Sequence, residues 1–123
     1  MEEIVRNVPI EDRTLHLTFL GKNTQNGGSP TLFATNRGTY VVQGWRVKDH
    51  DDQVEIPHRL LAHTEPGTCV GALLGDTGRG TFVLAGTPVT DAGALAEMNV
   101  PDHEAGIEVP VGKEVWVDAT TAR

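Results

Sequence analysis

The chain has 123 residues, room for one domain with a modest core and not for two. Apolar residues make up 38% and charged residues 22%, with 14 glycines and 7 prolines, a turn-rich globular balance that excludes a disordered tail. Asp and Glu total 17 against 10 Lys and Arg, and the net charge of −7 repels nucleic-acid backbones and anionic lipid while suiting a basic protein partner, a small-molecule site or plain solubility.

A lone cysteine, Cys69, rules out an internal disulfide framework and fits a reducing cytoplasm. The start Met1-Glu2-Glu3 lacks the positive flank of a signal peptide, and no apolar run is long enough to span a bilayer. A cytoplasmic protein without membrane contact is therefore expected.

In chain order, residues 14–20 alternate apolar and polar side chains and predict a half-buried strand. Residues 21–30 (GKNTQNGGSP) predict a loop. Thr31–Thr35 and Thr39–Val47 predict a hairpin turning at Asn36-Arg37-Gly38, where glycine tolerates left-handed backbone. A strand at 53–56 follows, and Pro57 opens one or two helical turns over His58–His63. Residues 70–74 and Thr81–Ala85 predict a second hairpin around Asp76-Thr77-Gly78-Arg79-Gly80. Asp91 can cap a helix over Ala92–Met98, which Gly93 weakens and Pro101 ends. Strands at 107–109 and 114–117 complete the set. About eight strands and one short helix near 91–98 predict an all-β fold, a small sandwich or barrel in a single domain spanning 1–123.

The two hairpins repeat one another. Arg37–Asp49 (RGTYVVQGWRVKD) aligns without a gap on Arg79–Asp91 (RGTFVLAGTPVTD) at an offset of 42, with seven of thirteen pairs identical. Asp49–Pro57 aligns on Asp102–Pro110 at an offset of 53, so the second copy carries eleven extra residues, which include the predicted helix. Residues 31–57 and 73–110 therefore read as a duplicated unit. Two copies cannot cap and stack a solenoid, and a pseudo-twofold domain is expected instead. Val41, Val47, Val83, Val89, Ile56 and Val109 stay apolar in both copies and form the expected core.

The chemistry-bearing residues each have two readings. Asp49-His50-Asp51, followed by Asp52, and Asp102-His103-Glu104 place imidazole between carboxylates, as metal ligands or an acid/base couple would need, or else form solvated turns before a strand. Neither spacing matches a known metal signature; a zinc site at His58 and His63 would need a third ligand, for which Cys69 or His50 could be proposed, and no HExxH or CxxC supports it. Cys69 has no cationic neighbour in sequence and reads as a buried structural thiol. Arg37 and Arg79 either form a symmetric pair for an anionic partner or close their own hairpins. Trp45 stands where the other copy has Thr87, and is core or a partner contact. The binding candidates are Arg37, Trp45, His50, Asp51, Asp52, Arg79, His103 and Glu104. No catalytic residue, cofactor or metal is expected.

The stretches TLFATNRGTYVVQGWRVKD and ALAEMNVPDHEAGIEVP resemble small uncharacterised streptomycete (actinobacterial) proteins built on a TLYxTxRGTYxVQGxxVxD…IPDHExxVEVP pattern. The resemblance implies a neighbourhood of helix-turn-helix regulators and carries no known activity. Here the pattern occurs twice, so one polypeptide would hold what two subunits supply in a dimer. Separately, Val54-Glu55-Ile56-Pro57, the following short helix and Pro66-Gly67 are similar to the swapped-hairpin fold of bacterial transition-state regulators and antitoxins, with a shorter proline spacing. The expected function is a non-enzymatic, regulatory binding module working through protein contacts, with a basic transcriptional regulator as a candidate partner. A swapped-hairpin DNA-binding regulator or antitoxin is the first alternative, and a small enzyme or metal protein using the Asp-His-acid turns is the second.

Overall fold

Gly38 and Gly80 adopt φ of +71° and +88°, the left-handed backbone that lets each predicted hairpin reverse. The computed structural model describes residues 14–23 and 29–113, and the strand expected at 114–117 lies outside the described residues. The strands are β1 (Leu17–Lys22), β2 (Thr31–Thr35), β3 (Thr39–Val47), β4 (His50–Pro57), β5 (Thr68–Val70), β6 (Gly75–Asp76), β7 (Thr81–Ala85), β8 (Thr87–Pro88) and β9 (Glu104–Lys113). A 3-10 helix, His58–His63, follows β4, and the single described α-helix, α1 (Ala92–Met98), precedes β9. All described pairings are antiparallel. The fold is all-β.

The pairings close a ring. β3 pairs with β9, β9 with β8, β8 runs on from β7, β7 pairs with β4, and β4 returns to β3. Closure of this kind removes the open edges of the inner strands. The last strand of each unit thus lies against the middle strand of the other. Registers follow the same exchange: Tyr40↔Val109, Val41↔Glu108 and Val42↔Ile107 become Phe82↔Ile56, Val83↔Glu55 and Leu84↔Val54 under the sequence offsets.

Ring closure requires a close approach at two glycines. A Cβ at Gly44 would lie 2.6 Å from the Glu55 carbonyl oxygen, and one at Gly86 would lie 2.6 Å from that of Glu108. Both contacts fall where the strand leaves one partner for the next, and no side chain fits there.

The interior of the ring is filled by Leu32, Tyr40, Val42, Val54, Ile56, Leu60, Leu84, Ile107 and Val109. The Tyr40 hydroxyl, carried into this core, accepts from the Glu65 amide at 2.8 Å and hydrogen-bonds the Thr68 hydroxyl, which ties the 65–68 turn to the barrel. A second cluster outside the ring joins Leu15, Phe33 and Val41 to Ala94 and Met98 of α1.

Three expectations change. The strand expected at 53–56 begins at His50, because Asp49 takes φ +67° and lets Val47 and His50 pair across a two-residue turn. The strand expected at 70–74 does not form: β5 ends at Val70 and pairs with Val111–Lys113 of β9, β6 begins at Gly75 and pairs with β7, and Leu73 and Leu74 between them are exposed. Of the six expected core residues, Val41, Ile56 and Val109 are buried, while Val47, Val83 and Val89 are only half-buried. Val83 matches Val41 in the repeat, but α1 covers the Val41 face alone.

Ile56→Ala should therefore cost about 2–5 kcal/mol and Val83→Ala less than about 1 kcal/mol. Gly44→Ala and Gly86→Ala should each cost about 1–3 kcal/mol through overpacking. Urea denaturation midpoints at constant slope check all four values.

Candidate functional site

The strand exchange first builds two matched polar clusters. Arg37 Nη2 lies 2.9 Å from Glu108 Oε1, and the Thr39 hydroxyl donates to Glu108 Oε2 at 2.6 Å. In the other unit Arg79 Nη2 lies 3.2 Å from Glu55 Oε2, and the Thr81 hydroxyl donates to the same oxygen at 2.6 Å. The hairpins themselves are closed by Thr35 and Thr77, whose hydroxyls accept from the amides of Arg37 and Arg79 at 3.0 and 3.2 Å. Each guanidinium therefore reaches the other unit and does not close its own turn. Both arginines remain largely exposed, and such pairs contribute little to stability.

The second arrangement lies at the Asp-His-acid turns. Asp51 and Asp102 line one groove of about 390 Å³, together with Arg46, Leu95 and Val100. Arg46 of β3 holds the second turn: its Nε donates to the Asp102 carbonyl at 2.8 Å and its amide donates to the His103 carbonyl at 3.0 Å. His50 and Asp52 are exposed, and Gln53 Nε2 lies 3.4 Å from His50 Nδ1. His50 lines neither this groove nor the neighbouring cleft, whereas His103 lines the latter.

That neighbouring cleft, about 340 Å³, is lined by Gln43, whose hydrogen-bond partner Glu104 departs most from expectation. Glu104 was expected on an acidic surface, but its side chain is 0% exposed. Glu104 Oε1 accepts from Gln43 Nε2 and Oε2 from the Ser29 amide, both at 2.8 Å. The turn closed by the Glu104 amide on the Pro101 carbonyl points the chain inward here. His103 Nε2 is 3.8 Å from Glu104 Oε2. Gln43 was missed in the sequence, although a glutamine inside the run Tyr40-Val41-Val42-Gln43-Gly44 was the available signal.

Trp45 is half-buried and sits in register with Glu55 on β4 and Glu104 on β9. Cys69 is exposed, contrary to the expected buried thiol, because β5 lies on the outer end of β9 opposite Gly112. His58 packs on Phe82 at 4.0 Å between ring centroids, with Asp76 3.4 Å from its Nε2. Among the described residues no three His, Cys, Asp or Glu side chains gather as a metal site. No described helix is long and apolar enough to cross a membrane.

Helix α1 walls both openings, with Met98 in the cleft and Leu95 in the groove. Its start is fixed by Asp91, whose carboxylate accepts from the Ala94 amide at 2.9 Å. That hydrogen bond is the main cause of a lowered Asp91 pKa, opposed by desolvation and helped by the Leu15 and Gly93 amides and the Arg37 charge. Comparison with protein families, curated proteins and solved structures finds no match to this chain.

Asp91→Ala should lower stability at neutral pH by unseating α1. Because the folded pKa is depressed, the cap's contribution is full above the ordinary aspartate value and fades as pH falls through the lowered folded value. Wild-type and variant denaturation curves should thus converge in acid. A gap independent of pH would remove the charge from the explanation.

Proposed function

We propose that this chain is a non-enzymatic binding module that engages a basic protein partner through the groove shared by the two turns. The observation that carries this reading is the joint lining of one groove by Asp51 and Asp102 over Leu95 and Val100. An apolar floor under two carboxylates suits an amphipathic, lysine- or arginine-bearing surface, since apolar contact supplies affinity and charge supplies steering. The net charge of −7 extends the same attraction over the whole molecule. The resemblance to streptomycete proteins found beside helix-turn-helix regulators agrees with a basic transcriptional regulator as that partner.

The swapped-hairpin DNA-binding reading draws support from the exchanged strands. It needs guanidiniums free to meet phosphates, and Arg37 and Arg79 instead face Glu108 and Glu55. Protein binding is therefore the favoured reading.

The test is an NMR titration with a synthetic amphipathic helix carrying lysine and leucine, alongside a duplex DNA. The peptide should shift the amides of Asp51, Val89, Leu95, Asp102 and Ala105, and DNA should not. The double variant D51N/D102N should weaken peptide binding about tenfold at low salt and flatten its salt dependence. Unchanged affinity in the variant, or shifts away from the groove, would make these turns ordinary solvated loops.

A further inference from the structure

The sheet has two open edges. Among the described residues β1 pairs only with β2, and β6 pairs only with β7. The β1 edge is guarded: its register slips between Phe19 and Gly21, a bulge of the kind that turns an edge away from pairing, and the exposed Lys22 follows. The β6 edge has neither device. Leu73, just before it, is 93% exposed, and Leu74 beside it is exposed as well.

The repeat shows what fits on such an edge. Phe33↔Val41 and Ala34↔Tyr40 become Gly75↔Val83 and Asp76↔Phe82 at the offset of 42, so β6 is the counterpart of β2. The outer edge of β2 carries β1, with Phe19 opposite Phe33 and Thr18 opposite Ala34. Leu73 and Leu74 match Thr31 and Leu32, which are 6% and 0% exposed. At the same offset β1 corresponds to residues 59–64, which the 3-10 helix and its end take up instead. That helix is committed elsewhere, with Leu60 in the ring core and the His63 ring against Gly21 of β1. The second unit therefore has a strand position with no described strand in it.

Charge selects the occupant. Asp76 is exposed, and residues 67–78 contain no other charged side chain. A second copy paired edge to edge would bring two Asp76 carboxylates close together, on molecules that each carry a net charge of −7. The chain itself leaves the described residues at Lys113, opposite Thr68, the end of β5 farther from Leu73. A basic strand from another protein meets neither obstacle.

We propose that the outer edge of β6, with Leu73 and Leu74 before it, docks an extended segment of a partner protein as an added strand, apolar beside the leucines and basic opposite Asp76. None of residues 73–77 lines the groove between the turns, so either site can fail without the other.

The probe is a capped peptide with the sequence of residues 16–23 carrying Thr18→Lys. In the register that β1 keeps on β2, the substituted side chain would face Asp76. The control peptide also carries Phe19→Pro and Leu20→Pro. Successive N–H groups of a strand point to opposite sides, so this pair of prolines removes a donor toward β6 in either alignment. In NMR titration of the full chain the probe should shift the amides of residues 73–77 in a saturable way, and the control should not. Leu73→Glu, at a side chain in solvent, should weaken the probe about tenfold. Asp76→Asn, which keeps the acceptor for the Gly78 amide, should weaken it about threefold at low salt. No shift at residues 73–77, equal shifts from the control, or wild-type affinity in folded Leu73→Glu protein would overturn the proposal. Without peptide, the outward-facing amides of residues 73–76 should exchange with solvent. Slow exchange in dilute protein would give the edge to the chain's own tail, slow exchange only in concentrated protein would give it to a second copy, and either overturns the proposal.

Discussion

The barrel depends on two places where backbone meets backbone with no room for a side chain. At Gly44 and Gly86 the strand passes within van der Waals distance of the Glu55 and Glu108 carbonyls and transfers from one neighbour to another. Without that crossing β3 would stay on one partner, and the ring through β9, β8, β7 and β4 would not close. Everything inside the ring follows from it. The buried side chains of β3 and β9 can pack against those of β4 and β7 only because the four strands surround one space. The arginine–glutamate pairs are a further consequence, since each glutamate is brought to the other unit's hairpin by the exchange.

Against this regular frame the helix insertion has a local and asymmetric effect. Packing of Ala94 and Met98 on Val41 buries one face of β3, while the matching Val83 face of β7 gains no such cover. The helix also creates two concave sites where a bare barrel would present strand ends. Its Leu95 side helps form the groove between the turns, and its Met98 end helps form the cleft over Gln43. A seven-residue helix has little intrinsic stability in water, so its capped start and its apolar contacts together hold both openings in shape.

Much of this was legible in the sequence because the responsible signals are local. Glycine at the first hairpin turn and aspartate before the helix each act over a few residues, and the structure has β2, β3 and α1 where the pattern puts them. The repeat was legible for the same reason, being a comparison of residues in order. What the sequence did not disclose is set by contacts distant along the chain. Gly44 and Gly86 were visible as identical residues, but nothing local says that a carbonyl lies where a Cβ would be. Cys69 looked buried because its neighbours are small and apolar, yet its strand lies on an outer extension of β9. Val47 and Val89 shared the apolar pattern of Val41 but sit where the ring ends or the insertion begins, and burial is incomplete there.

Glu104 and Asp51 illustrate how far identical placement in a repeat can diverge. Both follow a histidine, both lie at the start of a paired strand, and both carry a carboxylate. Asp51 follows a tight two-residue turn that leaves it in water, where its charge is solvated and available to an incoming partner. Glu104 follows the longer connection through α1, and the Pro101 turn delivers its carboxylate to the Gln43 amide and the Ser29 backbone. Removing a carboxylate from water is costly unless donors replace the lost hydration, and among the described residues the Gln43 and Ser29 N–H groups do so. The same residue class thus serves opposite ends in the two units: exposed charge in one, and in the other a buried acceptor for the Gln43 side chain and the Ser29 backbone.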